Sequence, residues 1–407
     1  MSLRNFAFAG ALSLAGTAAM ACDIENTATV AALTPDVDAW GAMGEAMSAC
    51  GNVRTERDPD VRSNQRAVFA ATPSPFQIGG VSNDTITPLL TDGTIRPLDD
   101  LVAKHGQALV PNQLISVNGQ TMAVAMMVNT QHLMYRKDIF DDLGLAPPVT
   151  WADALAAAEA IRRAGVVDFP MGATMASGWD LAQEFVNMFL GYGGTFYGED
   201  SQPQVNSEAG LKALETMRAI TAYLDPGYLS SDSDTVQRQL QQGRIAMANL
   251  WSSRSVAMDD PEKSQVVGQI AGAPAPRATA DGPPATTLWW DGIVIAKNAP
   301  DATAEAAFRV AMEALDTRMV EANNDAAIWL IPGYRPTRLA EGAIATATAT
   351  PQPVSYPSTL QMGLMHAALG AELPAFFTGQ RSAADTLAAV EAAYLSAAQE
   401  AGLVKAE

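Results

Sequence analysis

Short apolar runs alternate with capped helical stretches along most of this chain, and that alternation restricts the fold more than any other feature. The runs are strand-length, and the stretches between them repeat their apolar residues at the helical period, so the pattern specifies an α/β architecture. Residues 27–33, T-A-T-V-A-A-L, read as a strand. Residues 36–50 read as the helix that follows, with Trp40, Met43 and Met47 on one face and Gly51 as the stop. Thr150 with Asp153 forms a capping box for a helix stopped by Gly165. Asn206 and Ser207 open a helix carrying Leu211, Leu214 and Met217. Asp301 opens one carrying Phe308, Met312 and Leu315. Ser382 with Asp385 opens the last, with Leu387, Val390 and Tyr394 on one face. The Ala/Thr-rich stretch 342–350 and the proline-flanked 351–357 read as surface loops. At 407 residues, against roughly 100–200 per domain, two lobes or domains are expected.

Residues 1–21 form a separate object. Arg4 precedes an apolar run, and Ala19 and Ala21 make an A-x-A cleavage site before Cys22. This predicts a secretory signal peptide, too short for a membrane span, and therefore an exported protein. Export changes the meaning of the two cysteines, Cys22 and Cys50. A strand followed by a returning helix brings these two positions together, which allows a disulfide. Lipid anchoring at Cys22 is the alternative, with Ala19 where a lipobox usually has leucine. The net charge of −19 repels phosphate backbones and anionic lipids, so no nucleic-acid partner is expected. Three histidines and two cysteines leave little with which to build a metal site, and no cofactor motif, phosphate loop, nucleophile elbow or H-E-x-x-H is present. No metal, no cofactor and no catalytic residue are therefore assigned.

Four segments in order carry a resemblance. They are G-T-I-R-P-L-D-D-L at 93–101, N-G-Q-T-M-A-V-A-M-M-V-N-T-Q-H-L-M-Y-R-K-D-I-F-D-D-L at 118–143 followed by G-L-A-P-P-V-T-W, G-R-I-A-M-A-N-L-W at 243–251, and G-I-V-I-A-K-N-A-P at 292–300. Together they resemble the extracellular solute-binding proteins of bacterial ABC importers, in the carbohydrate-binding branch that includes maltose-binding protein. Two positions depart from the family pattern: Ala125 stands where proline is common and Arg136 where asparagine is common. The resemblance implies a two-lobed periplasmic-binding-protein fold, type II-like, each lobe a sheet flanked by helices with a ligand cleft at the hinge. By position, residues 22–128 plus 292–333 would form the N-terminal lobe and 129–291 plus 334–407 the C-terminal lobe.

A sugar presents hydroxyls at its rim and apolar C–H faces, so its site needs planar polar groups and aromatic platforms. Trp179, Trp251, Trp289 and Trp290 fall at loop or crossover positions, whereas Trp40, Trp151 and Trp329 lie in helical patterns and read as core. Ser82, Asn83 and Asp84 follow a strand at 76–81, at the carboxyl end where open α/β sheets bind ligands. Asn129 occupies the position of an acidic ligand-binding residue in the branch, Asp291 follows the tryptophan pair, and Arg335 lies near the last crossover. The implied function is a periplasmic binding subunit that captures a mono- or oligosaccharide by lobe closure. It would act as a monomer and deliver its load to permease subunits in the inner membrane, driven by a cytoplasmic ATPase. The same fold binding a polyol, a glycerol phosphodiester or a polyamine is a second reading, and an exported hydrolase or lyase a third.

Overall fold

The computed structural model describes residues 22–198 and 201–404; the predicted signal peptide lies outside the described residues. Among the described residues, twelve strands form two sheets. They are β1 (Val30–Pro35), β2 (Val53–Asp58), β3 (Ile78–Ser82), β4 (Leu114–Val117), β5 (Gln120–Asn129), β6 (Gln131–Arg136), β7 (Phe169–Gly172), β8 (Ile245–Trp251), β9 (Ile270–Ala273), β10 (Thr287–Ile295), β11 (Ile328–Trp329) and β12 (Val354–Ser355). The larger sheet runs β11-β5-β10-β3-β1-β2, with β4 on β5 and β12 on β10; the smaller runs β7-β8-β6-β9. Each sheet has its own buried apolar cluster beneath flanking helices, which is the expected two-lobed α/β fold.

Local chemistry accounts for the elements. The first helix is Asp38–Ser48, and its Trp40, Met43 and Met47 are fully buried, as the helical period requires. The Thr150–Asp153 capping box starts the helix Trp151–Ala164, and Gly165 ends it in the left-handed region at φ 64°. Two loop expectations are corrected. Residues 340–347 form a helix, because alanine has the highest helix propensity and this segment can bury a small-residue face. Ala343 and Thr346 are buried, and Gly342 lies so close to Ala273 that an added Cβ would meet its backbone nitrogen at 2.7 Å. Val354–Ser355 forms β12, pairing with β10. Trp329 is core, as expected, but as a strand residue.

The chain passes between sheets at three places. β5 ends at Asn129 and β6 begins two residues later in the other sheet. β10 returns from Thr287, antiparallel to β5, with Trp289 opposite Asn129. After β11 the chain leaves the larger sheet, and its next helix, Ala340–Ala347, packs on β9. The first two crossings are bonded together: Thr130 Oγ1 donates to the Thr287 carbonyl at 3.0 Å. Cys22 and Cys50 form a disulfide closing 28 residues of sequence, which fastens the start of the described chain to the end of the first helix.

Candidate functional site

Alternation along β10 decides where its tryptophans go. Successive side chains point to opposite faces of a strand, so Trp289 and Asp291 share one side and Trp290 takes the other. Trp289 joins the apolar cluster of the smaller sheet, while Trp290 packs against the cluster of the larger. The Trp290 backbone N–H donates to Asn83 Oδ1 at 2.8 Å, and the Asn83 amide donates to the carbonyls of Leu288 and Tyr356. Both donors of this buried amide are thus committed to holding β10 and the Tyr356 segment in place.

Three of the four candidate tryptophans meet. Trp251 ends β8, Trp179 begins the helix Trp179–Gly191, and Trp289 lies between them, with ring centroids 5.7–6.4 Å apart. Tyr356 lies 4.4 Å from Trp289, and His366 stacks on Trp179 at 5.0 Å. His366 Nδ1 is 2.9 Å from the Tyr356 hydroxyl and its Nε2 3.0 Å from the Trp179 carbonyl, so both ring nitrogens are used. Burial holds this imidazole at about 4, well below its ordinary value.

Charged groups surround the rings. Arg62, from the helix Val61–Ala70 of the larger lobe, places its guanidinium 4.9 Å from the Trp179 ring centre and pairs with Asp84. Ser82 Oγ donates to Asp84 Oδ1 at 2.7 Å, which fixes the carboxylate at the end of β3. Asp291 is pushed up to about 7 by burial, against the pull of Arg62. Asp180 is pushed up to about 6 by burial and by the Asp232 charge, with Arg62 and Arg254 opposing. Asn129 accepts from Ser252 Oγ at 3.1 Å and from the Ser253 N–H at 3.3 Å, joining the end of β5 to the turn after β8. Arg335 is exposed; its backbone N–H and carbonyl are held by Asn324, and the structure does not bring it to the rings.

A cavity of about 650 Å³ opens between the two lobes. Asp36 and Asp38 line it from the larger lobe and Asp234, Ser253, Arg254 and Arg338 from the smaller, with Met127 of the hinge strand between. No tryptophan lines it; Arg254 connects the two regions, since it borders the cavity and acts on Asp180. Arg62, Asp180, Arg254, Tyr356 and His366 had no sequence signal: each is an isolated residue whose role depends on which elements the fold brings together. Among the described residues there is no group of metal-ligating side chains and no helix long and apolar enough to cross a membrane.

The sequence profile of the bacterial extracellular solute-binding proteins matches residues 52–316. The chain belongs to that family. A curated relative, a probable amino-acid ABC transporter periplasmic-binding protein of Sinorhizobium fredii, is 23% identical over 169 residues, which is 40% of this chain and 39% of the relative's length. Among solved structures, a solute-binding protein from Agrobacterium radiobacter in complex with ribitol superposes with a TM-score of 0.75 at 18% identity, over 92% of this chain and 99% of its own. A maltose-bound protein from T. maritima gives 0.77 at 17%, over 90% and 99%. A protein from Agrobacterium vitis with bound D-mannitol gives 0.73 at 18%, over 92% and 99%. At these identities the likeness establishes the two-lobed fold.

Proposed function

We propose that this protein is the substrate-binding subunit of an ABC importer and that it captures a sugar or polyol between its lobes, without chemistry. The observation that carries the reading is a cavity at the hinge lined from both lobes. Both lobes contribute charged side chains to a cavity of about 650 Å³, inside the roughly 300–1,000 Å³ range of small-molecule sites, and Arg254 on its lining acts on Asp180, which follows Trp179 of the indole cluster. Indoles supply the apolar faces, and Asp84, Asp180, Asp291 and Arg254 supply the acceptors and donors that a polyhydroxylated ligand needs. Structural neighbours that hold ribitol, maltose and D-mannitol support this ligand class. The exported chain works in the periplasm as a monomer and hands its load to a permease. We place the lobe boundaries at Thr130, at 286–287 and within 330–339, and we assign Asn83 and Asn129 to positioning the cleft rather than to ligand contact.

Maltose, ribitol, D-mannitol and free amino acids form the test panel, read by thermal shift and tryptophan fluorescence. A sugar or polyol is expected to raise the melting temperature in proportion to the logarithm of its concentration above Kd. Trp179→Ala should weaken that binding by about 30- to 150-fold, from lost stacking and apolar burial of roughly 2–3 kcal/mol. Stabilisation by amino acids alone, or turnover of the ligand, overturns the reading.

A further inference from the structure

Resting on the reading that a ligand enters this cleft, we infer that Arg62 is a built-in plug: its guanidinium occupies the cleft side of Trp179 and competes with the incoming solute for that indole. Arg62 belongs to the helix Val61–Ala70, which packs on β1 of the larger sheet, while Trp179 opens a helix of the smaller lobe. The guanidinium therefore reaches its position, 4.9 Å from the ring centre, from across the cleft. Whatever a cross-cleft group covers is the side of Trp179 that faces the cleft, which is the side a ligand must use. The remaining neighbours leave no substitute surface: His366 stacks on the same indole at 5.0 Å, and Trp251 and Trp289 are only 7% and 5% exposed.

The arrangement is suited to displacement. The Arg62 side chain remains 51% exposed, so it can pivot into solvent without unpacking a core. Asp84 pairs with it from its own lobe, so the ion pair can travel with the larger lobe when the lobes part, and only the cation–π contact is broken. A planar, delocalised guanidinium covers an indole as a sugar face does, and it binds less water than an ammonium, which suits it to the position. Removing it frees the indole and also removes a contact that favours unliganded closure. Both effects strengthen capture. An exposed cation–π contact corresponds to about a two- to fivefold change in an equilibrium constant.

The test compares wild type, Arg62→Ala and Arg62→Lys. In ligand-free protein, acrylamide quenching of tryptophan fluorescence should rise in R62A, because Trp179 is the member of the cluster that Arg62 shields. R62K should fall between the other two. In titrations with maltose, ribitol and D-mannitol, whichever binds wild type should bind R62A about two- to fivefold tighter. Weaker binding by R62A would show Arg62 to be a ligand contact and overturn the plug, and so would quenching unchanged by the substitution. If none of the three solutes binds wild type, the functional reading fails, and the quenching comparison alone decides the plug.

Discussion

The buried acids near the hinge give single residues a measurable effect on stability. Burial pushes Asp291 and Glu184 up to about 7 and Asp180 up to about 6, from ordinary values of 3.8 for the aspartates and 4.5 for the glutamate. Between the ordinary and the folded values the native chain binds more protons than the unfolded chain, so these groups lower stability as pH rises. The buried histidines act in the opposite sense. His132 and His366 are lowered from 6.5 to about 4 by burial, so the unfolded chain takes the proton first and stability rises with pH across that interval. Above pH 6.5 the histidine contribution dies away and is outweighed by Asp291 and Glu184, which still hold protons in the folded chain. The melting temperature should therefore decline between pH 6.5 and 8, and Asp291→Asn should flatten the decline. Parallel pH profiles for wild type and D291N would refute the shift. Glu184 sits in a buried network: it accepts from Gln131 Nε2 at 2.7 Å and from Thr174, and Gln131 in turn accepts from Asn187 at 3.0 Å. Gln183 bonds Thr287 at 2.8 Å, so the helix that begins with Trp179 holds both hinge crossings.

At the scale of elements, the sequence was legible wherever one local rule suffices. The capping box at Thr150 and the buried face of Trp40, Met43 and Met47 came from spacing alone, because a helix end and a helix face are set within a few residues. The Ala/Thr segment misled because low complexity resembles a loop, while the property that decides it, close approach of Gly342 to β9, belongs to the partner strand. Trp289 and Trp290 were adjacent candidates in sequence, yet strand alternation sends their side chains to different apolar clusters. Arg62 lay in an unremarked V-R-S-N-Q-R helix start, since nothing local marks a residue whose partner is 117 positions away in another lobe. The disulfide was the long-range contact that could be anticipated, because one strand and one returning helix define its geometry. Closing a loop of 28 residues restricts the unfolded chain, worth roughly 3–4 kcal/mol in the chain-entropy picture. Cys22→Ser with Cys50→Ser should lower unfolding free energy by about that amount in a denaturant titration, with ligand affinity retained because the bridge lies in the larger lobe, away from the rings. A double variant as stable as wild type would show that the bridge does not constrain the chain.

For the whole molecule the question is how far a ligand moves the lobes. Three connections link them, and hydrogen bonds at Thr130 and Asn129 hold the crossings together while leaving the far rims of the cleft free to separate. A ligand drives closure only through contacts that exist in the closed form, and in the proposed site those contacts come from both lobes: Asp84 and Asp291 on one side, Trp179 and Asp180 on the other. The Arg62–Trp179 contact also favours closure without ligand, but about a two- to fivefold bias cannot keep the cleft shut. A micromolar ligand contributes roughly 8 kcal/mol of binding free energy and can hold it shut. Small-angle scattering should therefore show a smaller radius of gyration for wild type saturated with its sugar or polyol than for the free chain. In Arg62→Ala the free chain should be more extended still, and the liganded chain should match liganded wild type. That pattern separates the two roles of the cleft, since the ligand sets the closed endpoint and Arg62 shifts only the unliganded balance. A scattering profile unchanged at saturation would overturn hinge closure, and a free R62A chain as compact as free wild type would remove Arg62 from it.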